Sequence, residues 1–412
     1  MLAKFLLKER RLNVTMRKFR VSPEEFKRRT DVVLEEMKGK DIKGFVFWSS
    51  VSIFYLSGFA FIPTERPLCL ILSQDGKKTI FGPRLELEHA RECPEVADIK
   101  TYPDYPGKTH PMKQLGKLLE EMGLGTGKIG SDGGGYASSS GYRGPKLSEV
   151  LPSAEILIDP YLIENMRMVK SKEEILLIKE SCRWGNLAHK FLQLYSKPGA
   201  YENEISARAS LEATLAMINT LGPLYDPTTI GRGGASAGFR GQIGPNSALP
   251  HAMSINAVLK PGDVLVTGAG AGVFGYNSEL ERTMFVGEPD DEKKKYFDLM
   301  MQAQQVAFDN IRPGRKCSEV DAAVSAFYEK HSLWDYWRHH TGHALGLLGH
   351  EAPFFDVADD TVIKPGMVFS VEPGLYVMGL GGFRHSDTIL VTETGIEMLT
   401  YYPRDLESLI CG

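Results

Sequence analysis

The chain has 412 residues, too many for one compact core, so two domains are the default expectation. Apolar residues make up 42% and charged residues 24%, an ordinary balance for a soluble protein; the net charge of −4 gives no reason to expect nucleic acid or an anionic membrane as partner. Five scattered cysteines (Cys69, Cys93, Cys182, Cys317, Cys411) lack CxxC spacing, which argues against a disulfide framework or a cysteine zinc site and fits a reducing cytoplasm.

The first eleven residues hold one short apolar patch followed directly by charge, so no secretory signal is expected and Met16 is an equally good start. No apolar run approaches the length needed to cross a bilayer, and a cytoplasmic location is expected. Ser22, followed by proline and two glutamates, reads as the cap of a helix running to about Lys38. Buried strands are predicted at Gly44–Trp48, Leu68–Leu72 and Thr79–Phe81, with helical stretches near 84–92, 111–122 and 144–151. This is a small α/β unit ending around Asp159. Ser171 and Glu174 then form a capping box that opens a long amphipathic helix, and a second helix spans roughly 202–219.

Beyond that the texture turns to glycine-rich strands, predicted at Asp263–Val266, Gly272–Tyr276, Leu280–Val286, Met367–Val371 and Thr388–Val391. Helices near 291–311 and 318–331 interrupt them. The expected architecture is α+β: helices on one side of a curved, mostly antiparallel sheet. Gly270–Gly275 satisfies G-x-G-x-x-G after a strand, but a strand and turn follow instead of a helix, so a dinucleotide site is not expected.

Six of the ten histidines fall between His331 and His385, a clustering of the side chain that titrates near neutrality. Four segments carry them and the nearby carboxylates: Gly275–Gly287, His339–Pro353, Val371–Tyr376 and Gly381–Val391. In this order and spacing they resemble the creatinase/aminopeptidase superfamily, which includes Xaa-Pro dipeptidases, methionine aminopeptidases and creatinase. Tyr55–Phe59 is similar to part of the prolidase/creatinase N-terminal domain. The resemblance implies a creatinase/prolidase N-terminal domain over residues 1–160, a pita-bread catalytic domain over 161–412, and a homodimer.

Peptidases of that superfamily hold two divalent metals with two aspartates, one histidine and two glutamates. By that resemblance His343 and Glu372 match ligands, and Glu279 stands at the second aspartate position. Gly268 falls at the first aspartate position and Ser386 at the last glutamate position, so neither offers a carboxylate. A dinuclear centre is therefore not expected, and the expectation is no metal. One ion (Mn, Co, Zn or Fe) on Glu279, His343 and Glu372, with His385 nearby, is the alternative.

Creatinase, which cleaves a C–N bond without metal, is then the nearer relative. Glu281 and Glu372 match its substrate-binding glutamates, and His251 matches its catalytic histidine. The expected catalytic set is His251 as general acid/base with Glu281 and Glu372, acting on a small cationic or zwitterionic nitrogen compound. Arg66 (matching an arginine that reaches into a neighbouring subunit's site), His343, His350, Arg384 and His385 are expected to bind substrate. Two alternatives stay open. One is a metal-dependent Xaa-Pro dipeptidase or aminopeptidase with a depleted site; the other is a non-catalytic peptide-binding module.

Overall fold

The structure is a computed structural model describing residues 18–138, 140–231 and 233–412. The expectations for the first residues and Met16 lie outside these.

Helix α1 (Pro23–Gly39) starts where Ser22 caps it, the side chain accepting from the Glu25 amide. Strand β1 (Ile42–Phe47), helix α2 (Ser50–Ser57), strands β2 (Cys69–Ser73) and β3 (Lys78–Pro83), helix α3 (Leu87–Arg91), strand β4 (Asp98–Tyr102) and helix α4 (Pro111–Glu121) follow. Strand β5 (Gly127–Ser131), the short α5 (Leu147–Val150) and strand β6 (Ala154–Ile158) complete a six-stranded sheet of order β4-β3-β2-β1-β5-β6. The unit is α/β as expected, although α2 and the strands β4, β5 and β6 lie outside the predicted set.

After α6 (Leu162–Met168), the Ser171/Glu174 capping box is present in both directions at the start of α7 (Lys172–Tyr195). Helix α8 (Glu202–Leu221) lies alongside α7; both pack on strand β7 (Gly234–Gly238), and α7 also packs on β9 (Gly268–Val273). Between those two strands runs β8 (Val264–Val266). The Gly270–Gly275 stretch turns straight back into β10 (Tyr276–Asn277), a hairpin with no helix, so no dinucleotide cradle forms. Strands β11 (Leu280–Glu281) and β12 (Thr283–Val286) lead into helices α9 (Asp291–Asn310) and α10 (Cys317–Lys330). Then come β13 (Gly342–Ala344), β14 (Glu351–Phe355), β15 (Val368–Val371), the β16 (Gly374–Val377) and β17 (Gly381–Arg384) hairpin, β18 (Ser386–Val391) and β19 (Ile396–Met398). The central path is β10-β9-β11-β18-β15-β13-β14, with β7 on β9 and β19 on β18, every pairing antiparallel.

Register decides which side chains share a face. Glu281 lies opposite Ser386, Ser370 opposite Thr388, and His343 opposite Ser370. Successive strand side chains alternate, so Glu279, Glu281, His343, Ser370, Glu372, Arg384 and Ser386 face one way. Leu280, Val371 and Asp387 face the other way, toward α9, whose Gln304 donates to the Val371 and His385 carbonyls and to Asp387. Gly342 is required beside His343: a Cβ there would lie 2.1 Å from the Ser370 carbonyl oxygen.

Arg29 of α1 joins the two sheets. It is buried, donates to Tyr276 at 3.0 Å, lies 3.4 Å from Glu174, and stacks 3.9 Å above the Tyr55 ring. Phe54 packs on Phe274 at 5.2 Å across the same boundary. A charged clamp inside an aromatic seam holds the N-terminal unit in one orientation against the catalytic sheet. Among the described residues no helix is long and apolar enough to cross a membrane.

Candidate metal and peptidase site

Glu279, Glu281, His343 and Glu372 converge on the concave face of the central sheet. The His343 imidazole is buried, and its Nδ1 hydrogen-bonds the Ala344 carbonyl at 3.1 Å, which places a proton on Nδ1 and turns Nε2 inward. Nε2 lies 3.0 Å from Glu372 Oε1 and 3.8 Å from Glu279 Oε2, yet it makes no regular hydrogen bond. Burial alone would lower the His343 pKa; the adjoining Glu372 and Glu279 carboxylates outweigh it and raise the value to about 9. The point between these three groups attracts positive charge, either a proton or a cation.

Glu279 is set by two hydroxyls. Ser370 and Ser386 both donate to its Oε1, at 2.6 and 2.8 Å, leaving Oε2 toward His343. Ser386, at the position of a missing carboxylate, thus orients a carboxylate that remains. Glu372, although buried, is held well below the usual carboxylate range by His343 and Arg384. His350 stacks on His343 with ring centroids 3.7 Å apart and is exposed at the mouth. Donor atoms of Glu279, His343 and His350 come within one ligand-sized cluster, as do those of Glu279, Glu281 and Glu372.

Arg384, expected from sequence to bind substrate, is buried against Glu281. Its Nη2 donates to Glu281 Oε1 at 2.8 Å, its Nε to Oε2, and its Nη1 to Tyr376 at 2.9 Å. Burial pushes the Glu281 carboxyl up to about 7 against the pull of Arg384. Tyr376 completes the relay by meeting His339 Nε2 at 2.7 Å; His339, its pKa lowered to about 4 by burial, is neutral and accepts there. Arg240, on a loop with φ of 53°, adds a third donor to Glu281 at 3.1 Å. Neither Arg240 nor His339 was singled out in the sequence. Arg240 lies far from every motif, and His339 falls inside one without a distinguishing neighbour.

The structure corrects one further expectation. His385 does not reach substrate: it sits one residue out of phase with Arg384 and Ser386, so it points to the helix side, edge-on to Phe297 at 5.3 Å. There burial pushes its pKa well below normal. His251 is exposed on the turn after Pro250 and, among the described residues, makes no hydrogen bond or ion pair with Glu281 or Glu372. Arg66 pairs with its neighbour Glu65 at 2.5 Å and, among the described residues, makes no ion pair with the site of its own chain. Arg282 pairs with Asp387, at 2.8 Å, on the far face of the sheet, and leaves the Glu281 carboxylate to Arg384 and Arg240.

The residues fit a divalent cation. Donor atoms of Glu279, His343 and His350 lie within 4.8 Å of one another, as neighbouring donors on an ion with bonds of about 2.1 Å do. The buried His343 Nε2, outside regular hydrogen-bond geometry, is the orphan atom such an ion would satisfy.

Residues 177–393 match the Metallopeptidase family M24 description, and residues 29–169 match the Creatinase/Prolidase N-terminal domain. The chain belongs to metallopeptidase family M24. It is 29% identical to an Xaa-Pro dipeptidase of Pyrococcus furiosus, over 92% of this chain and 99% of that protein. It is 31% identical to an uncharacterized peptidase of Bacillus subtilis, over 72% of this chain and 75% of that one. Among solved structures, an Xaa-Pro dipeptidase from Bacillus anthracis matches with TM-score 0.75 and 27% identity, covering 92% of this chain and 99% of that one. The prolidase from Pyrococcus horikoshii OT3 gives the same TM-score and coverage at 26% identity.

The superfamily and the two-part pita-bread fold expected from sequence are confirmed, and the M24 chain is a hydrolase. The metal-free C–N hydrolase expected from sequence is overturned. The family is a metallopeptidase family, and the named relatives are Xaa-Pro dipeptidases rather than creatinases. The expectation of no metal falls with it, because the surviving donors still converge although Gly268 and Ser386 contribute no carboxylate. The family match also sets aside the non-catalytic binding module.

Proposed function

We propose that this chain is a metal-dependent peptidase that hydrolyses Xaa-Pro dipeptides. The observation that carries this reading is His343 Nε2, buried, outside regular hydrogen-bond geometry and 3.0 and 3.8 Å from the Glu372 and Glu279 carboxylates. A bound divalent ion supplies Lewis acidity and lowers the pKa of a water toward neutrality. Glu279, fixed by the Ser370 and Ser386 hydroxyls, and Glu372, paired with His343, would help to hold the ion, and either carboxylate would serve as a general base. His350, exposed at the mouth and stacked on His343, would hydrogen-bond the substrate carbonyl in this reading.

A cleft of about 490 Å³ opens over Gly268, Glu279 and Glu281, with Arg240 on its wall, room for a dipeptide. Among the described residues, the Arg240 guanidinium is engaged only through Nη2, with Glu281 and at 3.4 Å with Gln242. Its remaining donors suit the terminal carboxylate of a dipeptide, a bidentate charge-assisted contact. This favours a dipeptidase over an aminopeptidase acting on longer chains. The enzyme is proposed to be a homodimer located in the cytoplasm, as the family resemblance and the cysteine usage imply.

The test is a panel of Gly-Pro, Ala-Pro, Leu-Pro, Leu-Ala, a Pro-containing tripeptide and creatine, with Mn(II), Co(II), Zn(II) or Fe(II) supplied. Release of proline from the Xaa-Pro dipeptides alone is expected. No hydrolysis of any of them with all four ions would sink the reading. Arg240→Met should raise KM for dipeptides roughly tenfold or more with little change in kcat, since it removes ground-state binding.

A further inference from the structure

We propose that Glu351 is the positioning residue of His350: its buried carboxylate grips the loop that carries the histidine and ties that loop to the segment connecting the two units. This rests on the peptidase reading, in which His350 meets the substrate carbonyl, and adds a residue to it that touches no substrate.

His350 needs such a support. Its ring is exposed at the mouth, stacks on His343 and, among the described residues, makes no hydrogen bond. The backbone leading into β14 therefore decides where the ring stands. The first half of that loop is held by Asn277, whose Nδ2 donates to the Gly346 and Leu347 carbonyls at 3.1 and 2.9 Å. The second half depends on Glu351. Alternation at the start of the strand sends this side chain away from His350 and into the interior, where the residue is 3% exposed. There its Oε1 accepts the Leu348 amide at 2.9 Å.

The other neighbours of the carboxylate come from the connection between the two units. Arg167 of α6 places Nε 3.6 Å from Oε1, and the buried Lys170 places Nζ 3.5 Å from Oε2. Both separations exceed the roughly 2.7–2.9 Å of a tight charge-assisted bond, so the closest of these contacts is the one to the loop amide. The two cations compensate the buried charge, and the amide bond sets the loop. Gly346 is fitted to the same group: a Cβ there would lie 2.9 Å from Glu351 Oε2 and 3.2 Å from Lys170 Cε. Without the carboxylate the Leu348 amide loses its acceptor, and the exposed residues Leu348, Gly349 and His350 are released from the body of the protein. A displacement of about 1 Å at a group that meets substrate costs on the order of a hundredfold in rate.

The experiment compares the full-length protein with Glu351→Met, Glu351→Gln and the double variant Lys170→Met with Glu351→Met. The double variant removes both buried charges together and serves where the single change does not fold. Amide hydrogen exchange over residues 345–351 reads the loop without any need for activity. Exchange there is expected to quicken by roughly tenfold or more in Glu351→Met or the double variant. It should return toward the native rate in Glu351→Gln, which keeps an oxygen for the Leu348 amide. With Mn(II) supplied, kcat on Gly-Pro should fall roughly a hundredfold in the same variants. In a His350→Ala background the same change should cost less than about twofold, because the group it displaces is already gone. Unchanged loop exchange in the folded variants would overturn the inference, as would an equal loss of kcat with and without His350. A native enzyme that hydrolyses no Xaa-Pro dipeptide would instead sink the peptidase reading, and loop exchange would still decide whether Glu351 holds the segment.

Discussion

His343→Ala is expected to lower kcat/KM for Xaa-Pro dipeptides by roughly two to three orders of magnitude, the scale of several kcal/mol of transition-state charge stabilisation lost with a metal ligand. His343 is the single imidazole whose buried nitrogen faces both Glu279 and Glu372, and its removal leaves two carboxylates facing one another with neither proton nor ion between them. Manganese content should fall together with the rate. The variant also empties a buried site, so a lower melting temperature is expected, but a purely structural His343 would lower stability and leave the rate per folded molecule unchanged. Stopped-time assays on folded protein, with metal content measured on the same sample, separate the two.

Arg384→Met is expected to cost about 3–5 kcal/mol of stability, because it strands the buried Glu281 carboxylate without its bidentate partner. For a chain of this size that corresponds to a fall of roughly four to six degrees in melting temperature. The double variant Glu281→Leu with Arg384→Met should recover most of the loss, since a buried pair replaced by apolar groups is often neutral. Absence of recovery would mean that Arg384 stabilises through Tyr376 alone, to which it also donates. Melting curves for the native chain, both single variants and the double variant form the cycle that measures the pair.

Much of the fold could be read from short-range signals. The Ser22 and Ser171 caps start helices where their side chains accept from the third amide onward, and amphipathic spacing carries α7, α9 and α10 nearly to their ends. What escaped were elements without a periodic signature. Strand β7 is built from Gly234, Ala235, Ser236, Ala237 and Gly238, small residues with little strand preference, and becomes a strand only because β9 offers its edge. Helix α2 is almost wholly buried, so it lacks the polar face by which a helix is recognised.

For the site, motif order found Glu279, Glu281, His343, His350 and Glu372, all of which come together. Direction was the hidden quantity. His385 adjoins two inward residues and for that reason points outward, a parity that depends on where β17 ends and β18 begins. The metal expectation failed for a related reason. Counting lost carboxylates at Gly268 and Ser386 treats ligand positions as independent, whereas the folded sheet keeps Glu279, His343 and His350 converged and turns Ser386 into the hydroxyl that aims Glu279. Arg240 was illegible because its partner Glu281 is 41 residues away and no motif links them.

The most direct test of a metal-driven peptidase at this site is Gly-Pro hydrolysis by chelator-stripped enzyme before and after Mn(II) is returned. The expected result is loss of proline release on stripping and its recovery on reloading, with the His343→Ala enzyme unresponsive to the ion. Proline release that continues undiminished in metal-free protein would contradict the account.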